Sequence, residues 1–479
     1  METFDIAVIG AGTGGLVTAA GASQFGARVA LIEKDKLGGE CLYTGCVPSK
    51  TLIKAAKVAG LIRRAEEFGI RVSSYEIDFP AVMARVRKVI ETVGEHDSPE
   101  RFRKLGVTVI QGEASFTASD TLRVNGQQIK SKKFVIATGS RSTAPPVEGL
   151  EEAGFLTHVE ALRLSTQPKS LIILGAGPIG LEFAQLFSRL GTKVTVLEVL
   201  GQILPREDAE VAQKLEEYLR AEGMAIYTCT RAFRVAKTNG HRAISATCEV
   251  EGSTKGPVTF AADAILIATG RAPNVEGLGL HSLGVETTSK GIVVDDYLRT
   301  TAKHVWACGD VTGKYLFTHV AEYQARLLVG NLLFPYRRRA DYRVVPWVTF
   351  TDPEVARVGL TEAEARESYG NKVRVYRHCF GAVDRAIAEG ESYGFVKLVC
   401  DAAGQILGAH ILGPQGGDLL QPLVLAMKQR IPISTVSQTI HAYPTLVEAN
   451  RRAADQYYRE KLFSGRTGKA LRAWVRWFH

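Results

Sequence analysis

Two cysteines near the start of the chain have the spacing that most directly suggests chemistry. Cys41 and Cys46 lie in the run 38–50, with four residues between them. In a straight α-helix five steps advance about 7.5 Å, whereas a disulfide requires Cα atoms within roughly 7 Å. A bridge therefore needs a bent or non-helical connection, and Gly45 can supply the backbone freedom. We interpret the pair as a redox-active dithiol rather than two unrelated buried thiols.

The other cysteines and the bulk composition restrict the class of protein. Seven cysteines in 479 residues, scattered apart from this pair, do not form a disulfide framework. They favour a reducing compartment, so we expect a cytoplasmic protein. The formal charge of +9 is modest for this length, and no zinc-finger spacing or RNA-binding aromatic motif is present, so no nucleic-acid partner is expected. We find no signal-peptide pattern and no apolar stretch of membrane-spanning length.

One supersecondary unit occurs twice, at residues 6–33 and 171–198. Each copy reads as strand, glycine-rich turn, helix and second strand, and each ends in an acid, Glu33 and Glu198. This order is typical of dinucleotide-binding domains. The glycines allow close backbone approach, the helix N-terminus binds a pyrophosphate, and the acid accepts hydrogen bonds from ribose hydroxyls. Two further segments, 134–141 and 264–271, also match each other through Ala-Thr-Gly.

The dithiol decides which dinucleotide binds where. The first unit is followed directly by the dithiol and is predicted to bind FAD, whose isoalloxazine ring can exchange electrons with Cys41 and Cys46. The second is predicted to bind the nicotinamide dinucleotide. Because Glu198 would repel a 2′-phosphate, and Arg206 is a poor substitute for the arginines that bind one, we predict NADH rather than NADPH.

The run 38–50 resembles the redox motif of the class I pyridine nucleotide-disulfide oxidoreductases, and the resemblance covers nearly the whole chain. It implies that Cys41 is the interchange thiol that meets the substrate and that Cys46 is the thiol against the flavin. The family usually has Thr where this chain has Glu40, and Asn where it has Tyr43. These departures leave the dithiol intact and change its surroundings.

The resemblance implies an α/β fold with two Rossmann-like dinucleotide-binding domains, a C-terminal α+β dimerisation domain and a homodimer. We predict these domains: FAD-binding, 1–148; nicotinamide-binding, 149–279; the second part of the FAD-binding and central region, 280–345; dimerisation, 346–463; and a basic amphipathic tail, 464–479.

The cofactor-binding residues follow from the glycine pattern and from the resemblance. For FAD they are Gly10, Gly12, Thr13, Gly14, Gly15, Glu33, Lys34, Gly39, Ala137, Thr138, Gly139, Gly309 and Asp310, and for the nicotinamide dinucleotide they are Gly175, Gly177, Ile179, Gly180, Glu198, Ala268, Thr269 and Gly270. Asp310 would bind the ribityl chain. No resident metal site is predicted.

Lys50 and Glu182 are predicted to pair beside the flavin, where hydride arrives. A lysine there stabilises negative charge on the reduced ring and favours the Cys46 thiolate. The alternative for Glu182 is a surface acid of its helix. Pro178, at the start of that helix, stands where glutathione reductases have an aromatic residue, so no aromatic lid is expected over the nicotinamide.

The segment near the C-terminus departs from the thiol-disulfide members of the family. They carry a His before Pro-Thr, oriented by a Glu, as the acid and base for the substrate thiol; this chain has Tyr443 there, with Glu448 following. A phenol with a pKa near 10 is a poor base at neutral pH. His441 could take the role only through a shift. Tyr at this place is shared with mercuric reductases and favours a metal-thiolate or non-thiol acceptor.

Several functions stay open. We expect an NADH-oxidising flavoprotein that passes electrons through the dithiol to a disulfide, metal or quinone acceptor. The alternatives are a dihydrolipoamide dehydrogenase, a mercuric reductase without metal-delivery cysteines, and a membrane-associated diaphorase, quinone reductase or redox sensor. The last alternative rests on the tail, where Leu471, Trp474, Val475 and Phe478 recur at helical spacing beside basic residues.

Overall fold

The computed structural model describes residues 2–238, 241–250, 253–463 and 465–478. The chain forms two compact units, of which the first comprises Met1–Ala55, Glu76–Pro168 and Ala264–Asp341. The second comprises Ala56–Tyr75, Lys169–Asp263 and Tyr342–His479. The boundaries of these two units differ from the predicted boundaries of the functional domains. The domain boundaries stay predictions. Ser464 and His479, the ends of the predicted tail, lie outside the described residues.

The two units contain both helices and strands, which confirms the predicted α/β class. The strands are β1 Glu2–Ile9, β2 Val29–Glu33, β3 Val107–Gln111, β4 Ala114–Ala118, β5 Thr121–Val124, β6 Gln127–Ile136, β7 Ser140–Ser142, β8 Ser170–Leu174, β9 Lys193–Leu197, β10 Ala225–Tyr227, β11 Thr230–Thr238, β12 His241–Val250, β13 Ser253–Ala262, β14 Ala264–Ile267, β15 Arg271–Pro273, β16 Thr287–Thr288, β17 Gly291–Ile292, β18 Val305–Ala307, β19 Pro346–Thr349, β20 Glu354–Gly359, β21 Arg374–Cys379, β22 Phe395–Cys400 and β23 Ile406–Gly413. The helices are α1 Thr13–Gln24, α2 Gly39–Tyr43, α3 Cys46–Arg63, α4 Phe79–Gly94, α5 Pro99–Lys104, α6 Leu150–Ala153, α7 His158–Ala161, α8 Pro178–Arg189, α9 Ala209–Ala221, α10 Thr318–Leu333, α11 Glu362–Tyr369, α12 Asp384–Ala388, α13 Gly416–Lys428, α14 Ile433–Gln438, α15 Glu448–Phe463 and α16 Gly465–Phe478.

The first unit is built on one sheet with the order β3-β2-β1-β6-β5-β4, to which β18 adds beside β6. Strands β3, β2, β1, β6 and β18 are mutually parallel. Strand β5 is antiparallel to both of its neighbours, β6 and β4. The carboxyl-terminal parts of β1 and β6, most of β2 and all of β18 are apolar runs with buried side chains, as expected where a sheet is covered on both faces.

The register places the carboxyl ends of four strands at one edge of this sheet. Ile9 of β1 lies beside Ile32 of β2 and Ile136 of β6, and Ala307 of β18 also lies beside Ile136. The turns that follow these strands therefore meet at that edge, where ligands bind in open α/β sheets. The four turns carry the predicted FAD-binding residues.

The second unit contains three sheets. Strands β8, β9 and β10 lie side by side and are parallel; β11, β12 and β13 form an antiparallel sheet. The order β19-β20-β23-β22-β21 gives an antiparallel sheet of five strands. Helices α13 and α15 pack on this sheet, and their buried side chains share an apolar core with Val396, Leu398 and Ile411.

The chain ends in two helices, α15 and α16. Helix α16 has the predicted helical character, with its aromatic residues exposed. Arg472 donates to the carbonyl oxygen of Phe463 at 3.1 Å, which ties α16 to the end of α15. Among the described residues, none of the helices combines the length and apolar character that crossing a bilayer requires.

Candidate active site

The first glycine turn connects β1 to α1 at the carboxyl edge of the sheet. Gly10 has φ +98°, and a Cβ there would lie 2.5 Å from the Ala137 carbonyl oxygen. A Cβ at Gly15 would lie 1.8 Å from the Gly10 carbonyl oxygen, so both positions require glycine. A Cβ at Gly12 would meet nothing within 4 Å. Because α1 begins at Thr13 without a side-chain cap, its first N–H groups and this open space fit a pyrophosphate.

The second glycine turn, between β8 and α8, repeats this geometry. Gly175 has φ +101°, and a Cβ at Gly177 would again meet nothing within 4 Å. Pro178 is the first residue of α8, followed by Ile179 and Gly180. A proline is well tolerated there because the N–H that it lacks has no partner within the helix.

The acid at the end of each second strand holds the glycine turn of its own copy. Glu33 accepts a hydrogen bond from Ala11 N at 2.6 Å, and Glu198 accepts one from Ala176 N at 2.7 Å. A carboxylate has further lone pairs for a ribose hydroxyl, so the acids can both support the turn and bind the nucleotide. Lys34, beside Glu33, lies at the surface with its ammonium 3.8 Å from Glu113.

The Ala-Thr-Gly turn after β6 is fastened to residues that follow the second Ala-Thr-Gly turn. Thr138 donates through Oγ1 to Asn274 O at 2.6 Å, and Asn274 donates through Nδ2 to Thr138 O at 2.9 Å. Gly270 accepts a hydrogen bond from Thr143 N at 3.2 Å. Both turns, 137–139 and 268–270, thus belong to the first unit.

The two cysteines lie on either side of a helix break. Helix α2 ends at Tyr43 and α3 begins at Cys46. A Cβ at Gly45 would lie 2.9 Å from the Glu40 carbonyl oxygen and 3.2 Å from Cys41 Cα. The chain therefore turns back onto Cys41 at a place that admits only glycine, which is the bent connection that the spacing predicts.

The sulfurs are thiols in this structure, Cys41 half-buried and Cys46 exposed. A hydrogen bond to Cys46 and burial raise the pKa of the Cys41 thiol. Cys46 Sγ lies 3.6 Å from the hydroxyl of Thr318, the first residue of α10. A hydroxyl at this position can donate to a thiolate.

Glu40, the residue before Cys41, belongs to a polar network of the first unit. Its Oε1 lies 2.7 Å from His158 Nε2, and its Oε2 forms an ion pair with Arg271. Arg271 donates through Nε to Ser140 Oγ at 2.9 Å, and Ser140 Oγ donates to Asp310 Oδ2 at 2.8 Å. The network thus connects the start of the dithiol helix to the predicted flavin-binding acid.

The charges of this network oppose one another. Burial disfavours the charged form of Glu40, but the hydrogen bond from His158 and the charge of Arg271 outweigh it and lower the pKa of Glu40. Burial raises the pKa of Asp310, against the opposing effects of Ser140 and Arg271. One guanidinium therefore lies between two carboxylates.

Lys50 and Glu182 occupy helices of different units. Lys50 lies on α3, one turn after Cys46, in the first unit, and Glu182 lies on α8 in the second. Glu182 is buried, and its Oε1 accepts a hydrogen bond from Phe350 N at 2.9 Å. The alternative of a surface acid is therefore wrong, and the pairing with Lys50 stays a prediction.

The segment 441–448 lies in the second unit and places its polar residues on separate partners. Tyr443 is 67% exposed, and its hydroxyl donates to Asp384 Oδ2 at 2.9 Å. This hydrogen bond to a carboxylate raises the pKa of Tyr443. Glu448 is buried and pairs with Arg451 at 3.1 Å. His441 Nδ1 lies 2.8 Å from Thr439 O.

Sequence reasoning missed four residues of the site: Ser140, His158, Arg271 and Thr318. Ser140 and Arg271 follow the two Ala-Thr-Gly turns, so the repeated motif could have indicated them. Thr318 and His158 carry no local signal, because each reaches the dithiol region only through the fold.

These features together define a dinucleotide-binding redox protein with a dithiol beside its first nucleotide turn. The chain belongs to the pyridine nucleotide-disulphide oxidoreductases: the family model matches residues 4–325, and the model of the family's dimerisation domain matches residues 345–454. Members of the family use FAD and NAD(P)H, and the dimerisation domain supports a homodimer.

The similar proteins are named for several different activities. The chain is 35% identical over 453 residues to the mercuric reductase of Staphylococcus aureus, covering 94% of this chain and 82% of that protein. It is 36% identical over 453 residues to the dihydrolipoyl dehydrogenase of Chlamydia pneumoniae, covering 93% and 95%. The Cu(II) complex of the HOCl-induced flavoprotein disulfide reductase RclA from Escherichia coli superposes with a TM-score of 0.85 at 30% identity, covering 95% of this chain and all of that one.

Substitution of Gly45 tests the helix break. Gly45→Ala should cost about 1–3 kcal/mol of unfolding free energy, because the new methyl group displaces backbone rather than a flexible side chain. It should also slow closure of the Cys41–Cys46 disulfide. Denaturant unfolding and thiol titration measure the two effects. The control is Gly330→Ala in α10, where a Cβ meets nothing within 4 Å; equal stability of the two variants would contradict the steric argument.

Proposed function

We propose that this protein oxidises NADH and passes the electron pair through FAD to the Cys41–Cys46 disulfide, which then reduces an acceptor. The observation that carries this proposal is the arrangement of the two thiols across the break between α2 and α3, next to the first glycine turn. In balance, NADH, a proton and the disulfide give NAD⁺ and the dithiol; the sulfur–sulfur bond breaks, and the dithiol transfers two electrons to the acceptor as the bond re-forms.

The residues of the chain have distinct roles in this proposal. FAD held at the first glycine turn would supply the two-electron chemistry between NADH and the disulfide. Cys46 faces the flavin as the thiolate, supported by the Thr318 hydroxyl at 3.6 Å. Cys41 meets the acceptor. Lys50 and Glu182 act beside the flavin, and Glu198 favours NADH because a carboxylate repels a 2′-phosphate.

The surroundings of Tyr443 favour an acceptor that needs no thiol base. Its hydroxyl donates to Asp384, and Glu448 is engaged by Arg451. We therefore place a metal-thiolate complex or a quinone ahead of lipoamide. The relative named mercuric reductase and the Cu(II) complex of the similar structure agree with this order. Dihydrolipoamide oxidation with His441 as base is the second candidate, supported by the relative named dihydrolipoyl dehydrogenase.

Anaerobic titration of the FAD-loaded protein with NADH tests the electron path. We expect a long-wavelength absorbance band at one equivalent of NADH, because the Cys46 thiolate donates charge to the oxidised flavin. Cys46→Ser should abolish the band, whereas Cys41→Ser should show it before any NADH is added. Bleaching of the wild-type flavin without this band would mean that the cysteines lie outside the path.

We further propose that the active site is shared between the subunits of the homodimer, with Tyr443 and Glu448 acting on the dithiol of the partner subunit. Mixing inactive Cys41→Ser and Glu448→Ala proteins, after dissociation and reassociation, should restore about a quarter of the activity. Half of the dimers are then mixed, and each mixed dimer has one intact site.

The control for this mixture pairs Cys41→Ser with Cys46→Ser. Both cysteines come from one chain, so none of its mixed dimers has an intact site. If mass spectrometry shows that mixed dimers have formed, and the mixture of Cys41→Ser with Glu448→Ala still has no activity, shared active sites are excluded.

Helix α16 supports a second proposal, contact with an anionic membrane surface. Trp477 is 84% exposed, Phe478 62% and Trp474 57%. The sequence of the helix has four basic residues and no acidic residue: Arg466, Lys469, Arg472 and Arg476. Exposed aromatic rings with a purely basic polar face fit the headgroup region of an anionic bilayer.

Co-sedimentation with lipid vesicles measures this contact. The protein should bind phosphatidylserine-containing vesicles and not phosphatidylcholine alone. Lys469→Gln with Arg476→Gln should weaken binding about 30-fold, since each basic residue contributes about 1 kcal/mol near such a surface. Trp474→Ser with Trp477→Ser should abolish binding, and Tyr336→Ser, at a side chain 89% exposed in the first unit, is the control. Unchanged binding of the tryptophan variant would exclude α16 as the contact.

A further inference from the structure

Glu40 departs from the family motif, and its carboxylate has charged and polar partners in the fold. It stands directly before Cys41 in α2, where the family usually has Thr. Two elements far away in sequence contact its carboxylate, α7 through His158 and β15 through Arg271. Arg271 is in turn connected through Ser140 to Asp310, in the turn after β18. A threonine hydroxyl has neither the reach nor the charge for these contacts.

The hydrogen bonds of the network have a fixed direction. Because a carboxylate only accepts, His158 donates through Nε2 to Glu40, and Arg271 donates to Glu40 and to the Ser140 hydroxyl. That hydroxyl accepts from Arg271 and donates to Asp310. Arg271 thus connects Glu40 at one end with Ser140, and through it Asp310, at the other.

The network also places a negative charge beside the dithiol. The Thr318 hydroxyl lies 3.6 Å from Cys46 Sγ and can donate to a thiolate, so in the proposed function the reduced pair carries its charge on Cys46. Reduction of the neutral disulfide therefore adds a negative charge to the segment in which Glu40 directly precedes Cys41. Like charges repel more strongly in a partly buried site than in water. The carboxylate thus opposes reduction of the disulfide, and its removal should favour the dithiol.

We propose that Glu40 is a positioning residue that holds Arg271 between the dithiol helix and Asp310. Its negative charge also makes the reduced Cys41–Cys46 dithiol a stronger reductant. The first part rests on the proposed role of Asp310 toward FAD. The second part depends only on the dithiol.

Equilibration of the FAD-loaded protein with glutathione buffers tests the proposal without NADH. Two glutathione thiols are oxidised to one glutathione disulfide while the Cys41–Cys46 bond breaks and two thiols form; alkylation and mass spectrometry count the reduced fraction. Glu40→Gln should shift this equilibrium about tenfold toward the dithiol, which corresponds to about 30 mV. Glu40→Thr, with the residue usual in the family, should shift it in the same direction and guards against a folding defect of the first variant.

The control is Glu276→Gln, which breaks an exposed ion pair with Arg141 in the same unit, at 2.8 Å. This variant should leave the equilibrium unchanged. If Glu40→Gln and Glu40→Thr also leave it unchanged, the charge role is excluded. Because the measurement uses neither NADH nor an acceptor, this result is separate from a failure of the NADH titration.

The positioning role has its own readout, the release of FAD followed by flavin fluorescence. Glu40→Gln and Arg271→Gln should each speed release, and the double variant should release FAD no faster than Arg271→Gln alone, because both changes break the same connection to Asp310. Additive effects of the two substitutions would overturn the connection through Arg271.

Discussion

The first unit depends on backbone segments that approach one another more closely than a side chain would allow. At the carboxyl edge of its sheet, a Cβ at Gly10 would collide with the carbonyl of Ala137, and a Cβ at Gly39 would lie 2.8 Å from Gly12 Cα. Gly38 N also donates to Ala11 O at 2.9 Å. The helix that carries Cys41 is therefore attached to the nucleotide turn by main chain. The separation between the dithiol and a bound dinucleotide is then set by the backbone, which side-chain motion does not change.

The second unit repeats the turn and its acid but surrounds the following helix differently. Helix α8 presents Glu182, Gln185 and Arg189 on one buried face, and all three bond to residues 350–352. Gln185 exchanges hydrogen bonds with the Asp352 backbone, each at 2.7 Å. A polar stripe on an amphipathic helix usually faces water. Here it satisfies the main chain of the segment that begins the dimerisation domain, so the helix of the second nucleotide turn is fixed within its unit.

The sequence was informative wherever the constraint was local. The glycine turns, their acids and the helix break at Gly45 were predictable because each depends on conformations that only glycine adopts, or on contacts within about thirty residues. Thr318 and His158 could not be found in this way, since neither belongs to a motif and the fold alone brings each of them to the dithiol region. The surface alternative for Glu182 was excluded only by its bond to Phe350, 168 residues further along the chain. The division into two units likewise depends on packing that no local pattern describes.

Under the proposed function, the polar residues of segment 441–448 bear on the direction of electron flow. A phenol that donates to a carboxylate, as Tyr443 does to Asp384, has a raised pKa and keeps its proton at neutral pH. Its single hydrogen is donated to Asp384, and as a neutral phenol it cannot remove a proton from an incoming thiol. Oxidation of a dihydrolipoyl thiol requires such a base, whereas reduction of a metal-thiolate complex or a quinone does not. If His441 donates through Nδ1 to the Thr439 carbonyl oxygen, Nε2 is the ring nitrogen that can accept a proton. The hydrogen bond that orients this ring is then made to a residue of the same loop. A catalytic base has to be oriented toward the sulfur that it serves, so these contacts agree with the proposed direction, from the nicotinamide to the acceptor.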